Sequence, residues 1–334
     1  MRTNDMVSPA LASDDLRMKS IDVIVPMFNE GPNVSAFLDH LRDVLCPHFG
    51  SVRAIVVDDG SVDGTFEKVR GYKLAPGGNF EVEAIRLSRN FGKDIAIKCG
   101  LDRSRADMCA IIDGDFQQPV EKILEAAPIL ALGYDVVHVE RVGAAEDSLK
   151  RKLGTKAFHF LLRHLAGRAI HGSDYKVISK RAVARLKRYR EVNYFNRGIV
   201  EIMGLKAAEI YYQASPRRHG RSSYSFAKLM RLTIDGITSV SNRPLRLSFY
   251  FGLLVSTLSL LYSFYILLQK VIWDIPVPGF ASLAVGVFFL GGVQLLSLGV
   301  IGEYVGRAYL ESKRRPQYVI DEEITLRRTP SIQE

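Results

Sequence analysis

Cysteine is scarce in this chain. Cys46, Cys99 and Cys109 are its three thiols, odd in number and without CxxC spacing, which excludes a disulfide framework and a zinc site and fits a reducing cytosol. The chain has no GxxxxGK[ST], no GxGxxG, no HExxH and no GxSxG. Those absences argue against an NTPase, a dehydrogenase, a zinc protease and a serine hydrolase. No internal repeat or low-complexity tract appears, and no apolar h-region precedes Ile21, so a cleaved signal peptide is not expected. The most informative absence is local. Charged residues make up 24% of the chain, yet none occurs from Phe249 to Leu268 or from Gly279 to Gly302.

An apolar helix of roughly 20 residues crosses a hydrocarbon core about 30 Å thick. Both charge-free runs reach that length. The connector from Gln269 to Pro278 carries Trp273, Pro276 and Pro278, as suits a turn at an interface, so the pair is read as a hairpin. Arg243 and Arg246 precede it; Arg307, Lys313, Arg314 and Arg315 follow. The positive-inside rule then places both termini in the cytoplasm of an inner (plasma) membrane protein. The net charge of +9 is compatible with a nucleic acid, an anionic membrane or a phosphorylated substrate; the spans favour the last two, and no nucleic-acid partner is expected.

The expected organisation is a mobile tail over 1–20, a catalytic domain over 21–224, a juxtamembrane amphipathic helix over 225–247, two spans over 248–303 and a basic tail over 304–334. Within the domain, the unalternating Val- and Ile-rich runs 21–28, 52–59, 82–88 and 108–115 predict strands covered on both faces. Helical patterns over 33–45, 63–72, 94–103 and 120–132 lie between them, and a further amphipathic stretch covers 152–166. Regular alternation predicts an α/β fold with a mainly parallel sheet and helices on both faces. Ligands bind such sheets beyond the carboxyl ends of the strands.

The polar residues gather at those ends. Asp113 and Asp115, separated by Gly114, point the same way on extended backbone and can share one hard cation. Mg2+ or Mn2+ held by one or two carboxylates takes its other ligands from substrate phosphates, although a solvated turn has the same spacing. Asp58-Asp59-Gly60-Ser61, with Asp63 beyond, offers acceptors for a ribose hydroxyl or a base N–H; it equally offers an N-cap to the next helix.

In order, these pieces resemble the family 2 glycosyltransferases with a GT-A fold. The resemblance runs through Val25-Pro26-Met27-Phe28-Asn29-Glu30, Val57 to Ser61, Arg89-Asn90-Phe91-Gly92-Lys93 and Asp113 to Gln117, then His171 to Lys176 and Arg217 to Tyr224. Asp235 to Ser239 and the segment Gly302 to Arg307 are similar to the polyprenyl-phosphate group, which includes bactoprenol glucosyltransferases and is related to dolichyl-phosphate mannose synthase. Gln118, Lys176 and Ser223 depart from the usual residues. The resemblance implies a Mg2+ or Mn2+ ion on Asp113, Asp115 and Gln117. It also implies a nucleotide-sugar site at Pro26, Phe28, Asn29, Glu30, Asp58, Asp59, Lys93 and Gly114. The implied acceptor is a polyprenyl phosphate such as undecaprenyl phosphate, held in the bilayer. Arg141, Lys176, Arg197 and Arg217 are candidates to hold its phosphate, and Asp174 is a structural acceptor or an orienting group. A phosphate monoester is already anionic at neutral pH, so no general base is needed, and direct displacement inverts the anomeric centre. UDP-glucose is the favoured donor, with UDP-N-acetylglucosamine, UDP-galactose, a UDP-aminoarabinose derivative and GDP-mannose open. A processive synthase is disfavoured by the lack of QxxRW, and a non-catalytic sensor or flippase partner by the intact acidic pair. The Gly302 and Gly306 pair leaves a homo-oligomer open.

Overall fold

Runs of Val and Ile with few polar interruptions crowd poorly in a helix and pack well in a pleated sheet. The computed structural model, which describes residues 16–75, 78–142, 174–189, 203–213, 243–273 and 279–327, turns each such run into a strand. In chain order the elements of the first unit are β1 (Ser20–Met27), α1 (Val34–Leu45), β2 (Ser51–Asp58), α2 (Thr65–Arg70), β3 (Phe80–Leu87), α3 (Lys93–Arg103), β4 (Met108–Ile111), α4 (Lys122–Ala131), β5 (Val136–Val142), β6 (Lys176–Ser179), α5 (Lys180–Leu186), β7 (Ala207–Gln213) and β8 (Ile320–Leu326). The second unit holds α6 (Arg243–Trp273) and α7 (Phe280–Ser312).

The strands form one mixed sheet in the order β7-β5-β6-β4-β1-β2-β3-β8. Strands β1, β2, β3 and β4 run parallel, and β5 with β7 are parallel to each other. Strand β6 is antiparallel to both β4 and β5. That reversal makes β6 begin where its neighbours end, so a residue just before β6 lies beside the carboxyl end of β4. Apolar clusters cover the two faces of the sheet. Val23, Val25 and Val56 pack with Phe37, Leu38 and Leu41 of α1; Ile24, Ile55 and Ile85 pack with Ile97 and Leu101 of α3. At the opposite end, Asp22 accepts from Arg53 Nε and Nη2 at 2.8 Å each and from Ser104, Arg105 and Ala106, while Arg53 also reaches Glu83 at 2.9 Å.

Three expected boundaries move. Within the expected tail 1–20, Leu16 is buried and Ser20 opens β1, hydrogen-bonded to Asp107; residues 1–15 lie outside the described residues. Of the segment 225–247, residues 225–242 are likewise outside, and the remainder is continuous with α6. The expected basic tail 304–334 is not a single tail: its first part extends α7 to Ser312, and Ile320–Leu326 is β8, antiparallel to β3. Asp321, Glu322 and Glu323 interrupt the basic character of this stretch. Its charges have partners, since Glu322 pairs with Arg70 and Glu323 with Arg103, while Tyr318 donates to Asp102 at 3.0 Å.

In the second unit, α6 and α7 hold 31 and 33 residues. Phe249, Leu254, Leu261, Leu283, Phe289 and Leu295 are all exposed. Among the described residues one stretch, Phe289–Ser312, is long and apolar enough to cross a membrane, and Ser248–Ser259 is a shorter apolar helical stretch.

Candidate active site

The loops after β1, β2 and β3 are fastened to one another by side chains donating to or accepting from backbone. Asn29 N donates to Ser61 Oγ at 2.9 Å, Glu30 N to Thr65 Oγ1 at 3.0 Å, Gly31 N to Asp63 Oδ2 at 3.0 Å, and Val62 N to Asn29 Oδ1 at 3.1 Å. Asn29 adopts φ 56°, a left-handed conformation that Asn tolerates better than most residues. Gly60 has φ 70°, and a Cβ there would sit 2.5 Å from Arg89 C, so glycine lets the second and third loops touch. Asp59 spends both oxygens on the third loop, accepting from Phe91 N at 2.7 Å and Gly92 N at 2.9 Å. It thereby sets the start of α3 and the position of Lys93.

Asp58 is differently placed. It is fully buried at the end of β2; Oδ1 accepts from Ser61 N at 3.0 Å, and Oδ2 has no hydrogen-bond partner among the described residues. Burial pushes its carboxyl above the usual range, against the Ser61 hydrogen bonds. Burial does the same at Asp59 and at half-buried Glu30, where Asn33 opposes and Asp115, Asp63 and Asp113 add to the rise. Pro26 is half-buried in β1, and Phe28 stands beyond it with 46% of its surface exposed.

The acidic pair follows β4. Gln118 clamps Asp113: its Oε1 accepts Asp113 N at 2.9 Å and its Nε2 donates to Asp113 Oδ2 at 3.0 Å. Lys93 Nζ approaches Asp113 Oδ1 at 2.7 Å and Oδ2 at 2.9 Å, and reaches Asp174 Oδ2 at 3.2 Å. Asp115 accepts from Gln117 N at 3.1 Å and Gln117 Nε2 at 2.7 Å. Burial works against the Lys93 ammonium, yet Asp113 and Asp174 together raise its pKa. The loop turns at Phe116, whose φ of 60° is costly for a bulky residue; its ring meets Phe37 edge-on at 5.2 Å, which anchors the turn on α1. Buried Tyr175 steadies the exit of the loop by donating to Pro119 O at 2.7 Å.

The glycosyl transferase family 2 model matches residues 22–189, and the GtrB C-terminal hairpin model matches residues 243–308. The chain is a family 2 glycosyltransferase. An uncharacterized glycosyltransferase of Synechocystis sp. is 33% identical over 90% of this chain and 95% of its own length. A bactoprenol glucosyl transferase of Shigella phage SfV is 34% identical over 91% and 98%, respectively. Among solved structures, glucosyl-3-phosphoglycerate synthase from Mycobacterium tuberculosis, in complex with Mn2+, uridine diphosphate and glucosyl-3-phosphoglycerate, covers 71% of this chain and 82% of its own at 16% identity and a TM-score of 0.43. That likeness is too low to carry residues across.

In this glycosyltransferase, Pro26, Phe28, Asn29, Glu30, Asp58, Asp59, Lys93, Asp113, buried Gly114, Asp115 and Gln117 all lie at the carboxyl ends of β1 to β4 or in the loops that follow. Asp174 arrives there by the antiparallel course of β6 and is buried. Arg141 is exposed at the end of β5, in register with Tyr212. Tyr212 also feels Asp113 and Asp115 electrostatically, which brings Arg141 to the same end of the sheet. Lys176, expected to hold the acceptor phosphate, is fully buried in β6 opposite Ile111 and His138; its position inside the ladder makes it part of the sheet. Arg197 and Arg217 lie outside the described residues. Sequence reading passed over the Gln118 clamp and the Lys93 bridge. The bridge links residues 81 apart, counting from Lys93 to Asp174, and only the β6 reversal brings them together.

Proposed function

We propose that this glycosyltransferase transfers a hexose from a nucleoside diphosphate donor, with UDP-glucose as our choice, to a polyprenyl phosphate in the bilayer, with inversion. The observation that carries the donor half is Asp58. A buried acceptor without a donor costs about 1–3 kcal/mol, and a nucleoside hydroxyl or imide N–H removes that cost. Exposed Phe28 offers a face to the base, and Asp59, committed to backbone, acts by holding the third loop.

The acidic pair suits a Mg2+ or Mn2+ ion. Asp113 and Asp115 are hard oxygen donors, with Gln117 beside them as a third candidate ligand. Among the described residues no group of three or more His, Cys, Asp or Glu could hold a metal by itself. A cation held by one or two carboxylates completes its shell with diphosphate oxygens. When bound it supplies Lewis-acid stabilisation of the leaving diphosphate. The chain's own residues do the positioning: Gln118 fixes Asp113, Phe116 fixes the turn, and Lys93 contributes positive charge. Arg141, with Arg197 and Arg217, is our choice for holding the acceptor phosphate, and Asp174 orients Lys93; buried Lys176 is left out.

The acceptor half is supported by the relatives named bactoprenol glucosyl transferase and by the exposed apolar side chains on α6 and α7. Large apolar side chains exposed in such number mark a surface for contact with lipid or another protein. We propose that both helices span the inner membrane as a hairpin with cytoplasmic termini. The enzyme then meets its lipid substrate in two dimensions. The test is incubation of the purified enzyme with undecaprenyl phosphate and a panel of labelled nucleotide sugars. Label from one donor, glucose by our reading, moves into the organic phase, and Asp115→Asn abolishes that transfer; transfer that survives the substitution removes Asp115 from the reaction.

A further inference from the structure

Every carboxylate oxygen of the acidic pair is engaged by a donor from the chain itself. Asp115 is held by neutral groups of Gln117, and Asp113 by the Gln118 amide and by Lys93. Lys93 is the charged member of that set, and it touches both oxygens of Asp113. With the ammonium on both Asp113 oxygens, a divalent cation approaching that carboxylate is repelled and takes an oxygen most readily when the ammonium moves off. The backbone at Lys93 is fixed by the Asp59 bonds to Phe91 and Gly92, so the yielding part is the side chain, an unbranched stem that is 41% exposed. Buried Asp174 gives the ammonium a second anchor at 3.2 Å, one that remains when Asp113 is surrendered.

We propose that Lys93 is a resident counter-cation that occupies Asp113 in the free enzyme and yields it to the metal only when a donor diphosphate arrives, so that metal and donor load together. The inference rests on the metal reading above. In the free enzyme the lysine neutralises Asp113 and keeps affinity for a bare dication low. The diphosphate brings negative charge that draws the ammonium off Asp113 while it stays near Asp174, and the lysine then balances the leaving group. Lys93 is thus a positioning residue for the acidic pair as well as a donor contact.

The test is Mn2+ binding by the full-length protein, followed by electron paramagnetic resonance of the free aqua ion, with and without UDP and, in parallel, GDP. Wild type is expected to bind Mn2+ weakly alone and at least about tenfold more tightly with the nucleotide. Lys93→Gln is expected to bind Mn2+ alone about tenfold more tightly than wild type, with little further gain from nucleotide; Lys93→Arg, which keeps the charge, stays near wild type. Equal affinity of wild type and Lys93→Gln for Mn2+ alone, with binding still lost in Asp115→Asn, leaves the metal reading intact and overturns the role of Lys93. No Mn2+ binding by any form, with or without nucleotide, overturns the metal reading and this inference with it. If Lys93→Gln does not fold, wild type decides, because an Mn2+ affinity indifferent to nucleotide contradicts coupled loading.

Discussion

The amide of Gln118 holds Asp113 from two sides, through its backbone N–H and its Oδ2. Groups that orient a ligand of this kind typically affect metal affinity or activity by about 10–100-fold when removed, so Gln118→Ala is expected to lower kcat/KM by about that factor while leaving the thermal transition in place. Asp58 answers to pH. Burial raises its pKa, and on the proposed reading its ionised form accepts from the donor nucleoside, so donor affinity is expected to fall with acidification at a pH above the ordinary aspartate value of about 4; a titration of nucleotide affinity against pH reads this directly. Asp22, at the far end of the sheet, has the opposite sign. Burial tends to raise its pKa, but the Arg53 hydrogen bond and the Ala106 and Arg105 N–H groups outweigh it and hold the carboxyl low. Its stabilisation is therefore complete above the unfolded value of about 4 and is lost as the pH falls through the lower folded value. Asp22→Asn leaves Arg53 underpaired in a buried site and is expected to cost about 3–5 kcal/mol, read by denaturant unfolding near neutral pH; a cost below about 1 kcal/mol would show the network to be dispensable.

Strand β8 joins the sheet from beyond the helical hairpin and covers the edge of β3, with Ile320, Ile324 and Leu326 half-buried. Burying an aliphatic side chain contributes about 1.5–3 kcal/mol when complete. Removal of residues 316–334 is therefore expected to cost roughly 2–4 kcal/mol, to lower the Tm by roughly 5–15 °C and to expose an edge prone to self-association; an unchanged Tm would contradict the account of β8. The sequence pattern is sufficient for β1 to β4 and the helices between them, because a strand buried on both faces is rich in Val and Ile and its few charges, such as Asp22, Arg53 and Glu83, pair with one another. It is insufficient for β8, where the acidic run Asp321 to Glu323 breaks the apolar alternation and finds partners only when Arg70 and Arg103 are placed beside it. Strand β6 has four residues, and in β7 Ala and Tyr stand on both the buried and the exposed face, so neither carries a strong local signal. The site followed the same division. The motifs at the strand ends were legible as acidic pairs and turns, whereas the contacts among Lys93, Asp113 and Asp174 depend on the antiparallel course of β6, and the burial of Lys176 follows from its place in that ladder.

At the scale of the whole molecule, a charged α/β unit, proposed to bind a soluble donor, is joined in one chain to two long apolar helices, an arrangement suited to a reaction between a water-soluble sugar donor and a lipid. The chain is expected to resist alkaline extraction from membranes and to leave both termini protected from external protease in intact cells; cleavage of one terminus alone would contradict the hairpin, and cleavage of both its orientation. The most direct test of the central proposal is the anomeric configuration of the lipid product, read by NMR after transfer from α-configured UDP-[13C]glucose to undecaprenyl phosphate. Direct attack by the lipid phosphate predicts a β-linked glucosyl phosphate in the organic phase. An α-linked product, or label that stays in the aqueous phase, would contradict it.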